Sequence, residues 1–216
     1  MFIGLDLGTS GVKGILIDDR QQVLAEATAP LTVSRPHEGW SEQAPADWIA
    51  ATETVMDRLA AQGLSAVQGI GLSGHMHGAT LLDKADQVLR PCILWNDTRS
   101  HEEAAELDGD PLFRRVTGNI VFPGFTAPKL LWVRNHEPAI WDKVAKVLLP
   151  KDYLRLWLSG DHVAEMSDAA GTSWLDTGKR DLSDECLAAT GLDRSQMPRL
   201  VEGSQVSAVL RDHLAS

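Results

Sequence analysis

Phe2-Ile3-Gly4-Leu5-Asp6-Leu7-Gly8-Thr9-Ser10-Gly11-Val12-Lys13-Gly14-Ile15-Leu16-Ile17 opens the chain, and its punctuation predicts the fold. The apolar run 2–7 ends in the turn Asp6-Leu7-Gly8-Thr9-Ser10-Gly11, and a second run, 12–17, is closed by Asp18-Asp19-Arg20-Gln21. Residues 23–29 form a third run. Short apolar runs separated by tight turns predict an antiparallel meander. Beyond a polar connection holding His37, Gly39 and Trp40, a helix is expected from Pro45-Ala46-Asp47, with proline in its first turn. Trp48, Thr52, Val55 and Leu59, flanked by Ile49 and Met56, recur at helical spacing, and Gly63 supplies the stop. Residues 67–72 then read as a strand, and strand–helix–strand units lay down parallel strands. Short extended pieces are expected at 81–82 and 91–95, with a turn at 84–87. Helical texture covers 100–116, 128–136, 153–158 and 183–189. Residues 202–216 read as a strand start followed by the beginning of a helix. A meander followed by alternating helix and strand predicts an α/β lobe on a mixed sheet.

Composition narrows the function. The 216 residues carry 20 Lys plus Arg against 30 Asp plus Glu, a net charge of −10. Such an acidic surface argues against nucleic-acid binding, because it repels phosphate backbones, while leaving room for a local nucleotide pocket. The two cysteines, Cys92 and Cys186, lie in no Cys-x-x-Cys pattern and are expected to be small buried residues. Phe2 and its neighbours follow no basic leader segment, and no apolar run nears the roughly 18 residues of a membrane helix. No membrane partner is expected, and the cytoplasm is the expected compartment.

Several stretches offer chemistry. The turn after Asp6 combines a carboxylate at a strand end with glycines that let backbone N–H groups approach an anion, and Thr9 and Ser10 add hydroxyls. Asp6 itself repels phosphate unless a divalent cation stands between them. The alternative is a plain hairpin turn with Asp6 bonded to its own backbone. No Walker motif occurs. Gly69-Ile70-Gly71-Leu72-Ser73-Gly74 fits the dinucleotide fingerprint in spacing, but its first glycines fall within the expected strand and no helix start follows. His75 and His77, at i and i+2 on an extended chain, would project to one side. They suit either a shared metal or hydrogen bonds to a polyhydroxy ligand, and no third zinc ligand is evident. Leu94-Trp95-Asn96-Asp97-Thr98-Arg99 sets an aromatic beside amide, acid and cation, which suits a sugar, or equally a buried Trp next to a solvated turn.

Together these stretches resemble the sugar-kinase family named for its Phe-Gly-Gly-Tyr signature (FGGY), within the ribonuclease-H-like actin/hexokinase superfamily. Residues 3–13 are similar to that family's first phosphate loop, and Gly124-Phe125-Thr126-Ala127-Pro128-Lys129-Leu130-Leu131-Trp132-Val133-Arg134-Asn135-His136 matches its N-terminal signature throughout. Leu149-Pro150-Lys151-Asp152-Tyr153-Leu154 and Ser167-Asp168-Ala169-Ala170-Gly171-Thr172 look like further landmarks. Residues 74–78 and 93–97 look most like the xylulose-phosphorylating members. Glycerol-specific members carry Arg-Glu where this chain has Met76-His77.

The resemblance implies ATP and Mg²⁺ as cofactors, with Asp6 at the metal–phosphate end through water. It implies that Gly8, Thr9, Ser10 and Lys13 line the nucleotide phosphates, and that Met76, His77, Trp95, Asn96 and Asp97 contact a small-molecule sugar. It also implies a two-lobed enzyme in which residues 1–216 form the N-terminal lobe. The catalytic aspartate, in a Gly-x-x-Asp-Asn-type motif, and the nucleotide lobe would lie beyond Ser216, so this chain alone is expected to be inactive. A kinase for another sugar or polyol, a non-catalytic sugar-binding remnant, and assembly as a homodimer stay open.

Overall fold

The computed structural model describes residues 1–215. Strands β1 (Phe2–Gly8), β2 (Gly11–Ile17) and β3 (Val23–Pro30) form the expected antiparallel meander. Its register follows from period-two burial: Ile3, Leu5 and Leu7 point inward while Phe2 and Asp6 point out. After β4 (Glu42–Gln43), helix α1 (Pro45–Ala60) buries Trp48, Thr52, Val55 and Leu59 against the sheet. Gly63, at φ +79°, turns the chain away. Strand β5 (Gly69–Gly74) then pairs in parallel with β1, Leu5 beside Leu72, giving the order β3-β2-β1-β5. All three glycines of the fingerprint-like stretch lie inside β5 and no helix follows it, so the geometry that binds a dinucleotide is missing.

The mixed sheet is confined to these strands. Downstream come β6 (Thr80–Leu82), β7 (Cys92–Ile93), α2 (His101–Gly109), α3 (Pro111–Thr117), α4 (Thr126–His136) and α5 (Pro138–Trp141). They are followed by β8 (Lys146–Leu148), α6 (Pro150–Ser159), β9 (Val163–Glu165), α7 (Met166–Ala169), β10 (Leu175–Asp176), β11 (Asp181–Leu182), α8 (Asp184–Ala189) and β12 (Arg199–Val201). The short strands join only in pairs: β6 with β8, β4 with β7, β9 with β12 and β10 with β11. The single helical stretch expected over 100–116 is two helices, because Asp110 caps α3 through the Leu112 N–H and Pro111 opens it. The strand expected within 202–216 falls earlier, as β12, where residues 199–201 find β9 to pair with. Downstream, the described part of that stretch holds only a 3₁₀ turn at Asp212–Leu214, and Ser216 lies outside the described residues.

Two large apolar clusters result, beside a small third one of Leu82, Leu148 and Leu156. One joins the sheet, α1 and α6, and the other gathers α2, α3, α4 and α8 around Phe113, Trp132 and Trp174. β7 is the seam, giving Ile93 to the second cluster and Cys92, with Leu94 just after it, to the first. Cys92 and Cys186 are both buried and unlinked, as expected.

Beside the seam lies a buried polar network that corrects one expectation. Asp97 is 1% exposed. Its Oδ2 accepts from the Ser41 N–H at 2.6 Å and from Arg99 Nη2 at 2.7 Å, and its Oδ1 accepts from the Arg99 N–H and Nε, both at 2.9 Å. Arg99 also meets Glu42 at 2.7 Å and lies 3.6 Å from the Trp40 ring centre. Asp97 is therefore a structural anchor, with no free atom to offer a sugar. Removing one member of a buried ionic network leaves its partner under-compensated, at a cost of about 3 kcal/mol. Asp97→Ala should accordingly lower the urea midpoint, and an unchanged midpoint would return Asp97 to the ligand contacts.

Candidate active site

β5 ends in a turn on which the candidate residues converge. The His75 N–H extends the ladder by donating to the Leu7 carbonyl at 2.8 Å. The chain then reverses: the Gly78 N–H donates to the Met76 carbonyl at 2.8 Å, with His77 between them at φ +65°. This is a γ-turn with positive φ at its centre, a rare and strained form. The extended geometry expected for residues 75–77 is thus absent, and the two imidazoles diverge. His75 is buried edge-on to Trp48, with ring centres 5.5 Å apart, whereas His77 lies 4.6 Å from the Phe125 ring centre. The shared-metal alternative loses its premise, and among the described residues no three His, Cys, Asp or Glu side chains are grouped to hold a metal. Met76 projects outward, 51% exposed.

Distant segments enclose this turn. Gly171 abuts the His77 ring so closely that a Cβ there would sit 2.2 Å from Cε1, so any side chain at 171 would displace the imidazole. The His77 carbonyl accepts from Lys129 Nζ at 2.9 Å and from Thr126 Oγ1 at 3.2 Å, both on α4. Lys151, beside Gly74, reaches Asp152 at 2.9 Å and Asp168 at 2.7 Å. Burial alone would lower the Lys151 pKa, but these carboxylates carry it above its ordinary value. Burial raises Asp152 to about 6 in spite of Lys151. The landmarks at 149–154 and 167–172 therefore meet across one buried ionic contact, far apart in sequence.

The other expected residues lie to either side. Trp95 is 45% exposed, and its Nε1 donates to Thr9 Oγ1 at 3.0 Å. Asn96 is half-buried, and its Oδ1 is enclosed without a hydrogen-bond partner. In the β1–β2 turn, the Thr9 carbonyl accepts from Gln43 Nε2 at 2.7 Å, and Gln43 Oε1 accepts from Trp48 Nε1 at 3.0 Å. Gly8 is half-buried and Ser10 is exposed. Asp6 stands on the sheet face away from α1, beside Lys13 on β2 and Ser73 on β5. Its carboxylate makes no hydrogen bond among the described residues, so the self-bonded hairpin alternative is not what forms. Lys13 instead reaches Glu26 at 2.9 Å, an exposed pair of small energetic weight that a ligand anion can displace.

The whole chain, residues 1–216, matches the N-terminal domain of the FGGY family of carbohydrate kinases. The chain belongs to this family. It is 58% identical to the xylulose kinase of Klebsiella pneumoniae and 54% identical to that of Escherichia coli strain K12, over 100% of this chain and 45% of each relative. The crystal structure of a xylulose kinase from Brucella ovis superposes with a TM-score of 0.97 at 64% identity, covering 98% of this chain and 45% of that one. The chain thus spans a little under half the length of these carbohydrate kinases.

Three residues of this kinase lobe escaped the sequence reading as site residues: Lys129, Gly171 and Gln43. Lys129 was marked by its place in the signature at 124–136 and by its position between Pro128 and the apolar run 130–133. Gly171 stood within the landmark at 167–172 without a role of its own, and Gln43 carries no local mark, since its partner Thr9 lies far away in sequence.

The imidazoles set a pH dependence. Burial, helped by the nearby Lys129 charge, lowers both His75 and His77 to about 4. Folding therefore holds His75 neutral, while the unfolded chain takes up a proton below about 6.5. The resulting cost is absent above that pH and grows as pH falls toward 4. At pH 5 it amounts to about 2 kcal/mol for His75, with His77, more open to water, adding less in the same direction. Urea unfolding at pH 7 and pH 5 should show a loss that shrinks by about that amount in His75→Phe. An equal loss in both proteins would show that His75 is not the group being protonated.

Proposed function

We propose that the protein carrying this lobe is an ATP-dependent xylulokinase, which transfers the γ-phosphoryl group of ATP to the 5-hydroxyl of D-xylulose. One observation carries the reading: the Trp95–Thr9 hydrogen bond joins the expected sugar subsite directly to the expected phosphate turn. Phosphoryl transfer proceeds mainly by positioning and charge neutralisation, and a lobe that fixes both sites together supplies the first of these. The high identity to proteins named xylulose kinase supports the choice of sugar. The neutral imidazole of His77 offers one donor and one acceptor to hydroxyls, Met76 supplies an apolar contact, and the open face of Trp95 suits sugar C–H groups. The turn at Gly8, Thr9 and Ser10 lines the phosphate path, with Lys13 at its edge.

Mg²⁺ bound with the nucleotide would neutralise phosphate charge. Asp6 fits an outer-sphere role toward it, because its carboxylate is exposed, unpartnered and adjacent to the phosphate turn. The proton of the attacking hydroxyl goes to the family's aspartate beyond residue 216, so catalysis belongs to the longer protein. No described helix is long and apolar enough to cross a membrane, and the cytoplasm is the compartment proposed.

Two substitutions in the full-length kinase test the assignment. His77→Ala should lower kcat/KM for xylulose about tenfold to a hundredfold, the effect of one lost buried hydrogen bond, and leave the KM for ATP nearly unchanged. Intact xylulose kinetics would remove His77 from the sugar site. Asp6→Asn keeps the shape and removes the charge. It should cut kcat and raise the Mg²⁺ concentration giving half-maximal rate, with the melting temperature preserved. A lowered melting temperature with normal Mg²⁺ dependence would make Asp6 a structural residue only.

A further inference from the structure

Lys129 is completely buried, yet among the described residues no carboxylate lies within ion-pairing distance of it. Burial lowers its pKa to about 7, opposed by Cys92 and Asp97 and reinforced by Arg99. A position that required only filling would be better served by methionine or leucine, because an unpaired buried ammonium is costly. What the amine provides is two hydrogen bonds to carbonyls of different loops: His77 at 2.9 Å and Gly124 at 2.6 Å. The first carbonyl belongs to the strained γ-turn. The second belongs to a residue pressed so tightly on Trp95 that a Cβ there would lie 2.4 Å from the Trp95 carbonyl oxygen.

We propose that Lys129 is a positioning residue for the sugar site: it holds the His77 turn in its strained form and ties it to the Gly124 turn behind Trp95. The amine is sealed off and never meets the ligand, so its influence passes through the backbone to the imidazole. Thr126, which shares the His77 carbonyl at 3.2 Å, is the auxiliary donor. This inference rests on the reading that His77 meets the sugar.

The test is a double-mutant cycle in the full-length kinase. Lys129→Met should raise the KM for xylulose about tenfold to a hundredfold while the KM for ATP holds. In a His77→Ala background the same change should raise it less than about threefold, because the side chain being positioned is already gone. A merely structural lysine would lower the melting temperature equally in both backgrounds and leave KM per folded molecule unchanged. That result, or equal KM penalties in both backgrounds, overturns the proposal. If Lys129→Met does not fold, Thr126→Val carries the same cycle with a smaller rise. If the wild-type protein phosphorylates no xylulose, or His77→Ala leaves sugar kinetics intact, it is the functional reading that fails. Lys129 is then judged by imidazole ¹H–¹⁵N spectra: the His77 ring signals should move in the lysine variant while those of His75 stay fixed. Unmoved His77 signals would refute the positioning role on their own.

Discussion

The carbonyl oxygen of His77 is the atom on which the site depends. A γ-turn with φ of +65° at a residue bearing a Cβ does not persist without compensation. Here the compensation is two donors from one helix, Lys129 and Thr126, aimed at one oxygen. Because α4 carries both, the position of α4 and the conformation of the turn are a single structural variable. Phe125 and Gly171 then confine the ring itself. A strained residue thus sits where β5 ends and the candidate sugar contacts begin, just past the parallel pairing of β5 with β1.

The two halves of the lobe are held together by different physics. The first is a sheet covered by an amphipathic helix, and burial of Trp48, Val55 and Leu59 with the inward side chains of β1 is stabilisation of the ordinary kind. The second half has only two-stranded ladders, which are marginal by themselves. It is organised by helices and by buried charge: Arg99 between Asp97 and Glu42, stacked on Trp40, and Lys151 between Asp152 and Asp168. Such contacts contribute little net stability, because desolvation offsets attraction, but a misplaced partner is heavily penalised. They therefore act chiefly on geometry. Lys151 sits directly under Gly74, so this geometric control reaches the start of the His77 turn.

Local rules made the first half legible. The meander, the buried face of α1 and the parallel β5 all follow from periodicity and turn residues that a sequence displays openly. The glycines at 69, 71 and 74 were separable from a nucleotide fingerprint because strand context outweighs spacing. Reading failed where one dihedral angle or one long-range contact decides. Residues 75–77 looked extended because nothing local announces a positive φ at His77. Asp97 looked like a ligand contact because a polar side chain next to an aromatic reads alike whether it faces solvent or Ser41 and Arg99. Gln43 was invisible for the same reason, and the landmarks holding Gly171 and Lys129 did not announce the long-range contacts these two residues make.

The arrangement also accounts for what this lobe contributes on its own to the proposed transfer. Thr9 is held twice, through its hydroxyl by Trp95 and through its carbonyl by Gln43, which ties the proposed phosphate turn to the aromatic wall of the proposed sugar site. The Thr9 hydroxyl uses a lone pair to accept from Trp95 and keeps its proton, which stays available to a phosphate oxygen. Gln43 is fixed in turn by Trp48 in the core of α1, so the hydrogen-bonded path runs from the buried helix to the phosphate turn without crossing solvent. In-line phosphoryl transfer is sensitive to the distance between the reactants, and under the proposed function the Trp95–Thr9 bond helps to hold the proposed sugar wall against the proposed phosphate turn. Under the proposed function, charge neutralisation and proton removal are different in kind, because they would need groups that arrive with the nucleotide and with the remainder of the longer protein. The Thr9 turn, by contrast, is tied to the core rather than left as a free loop.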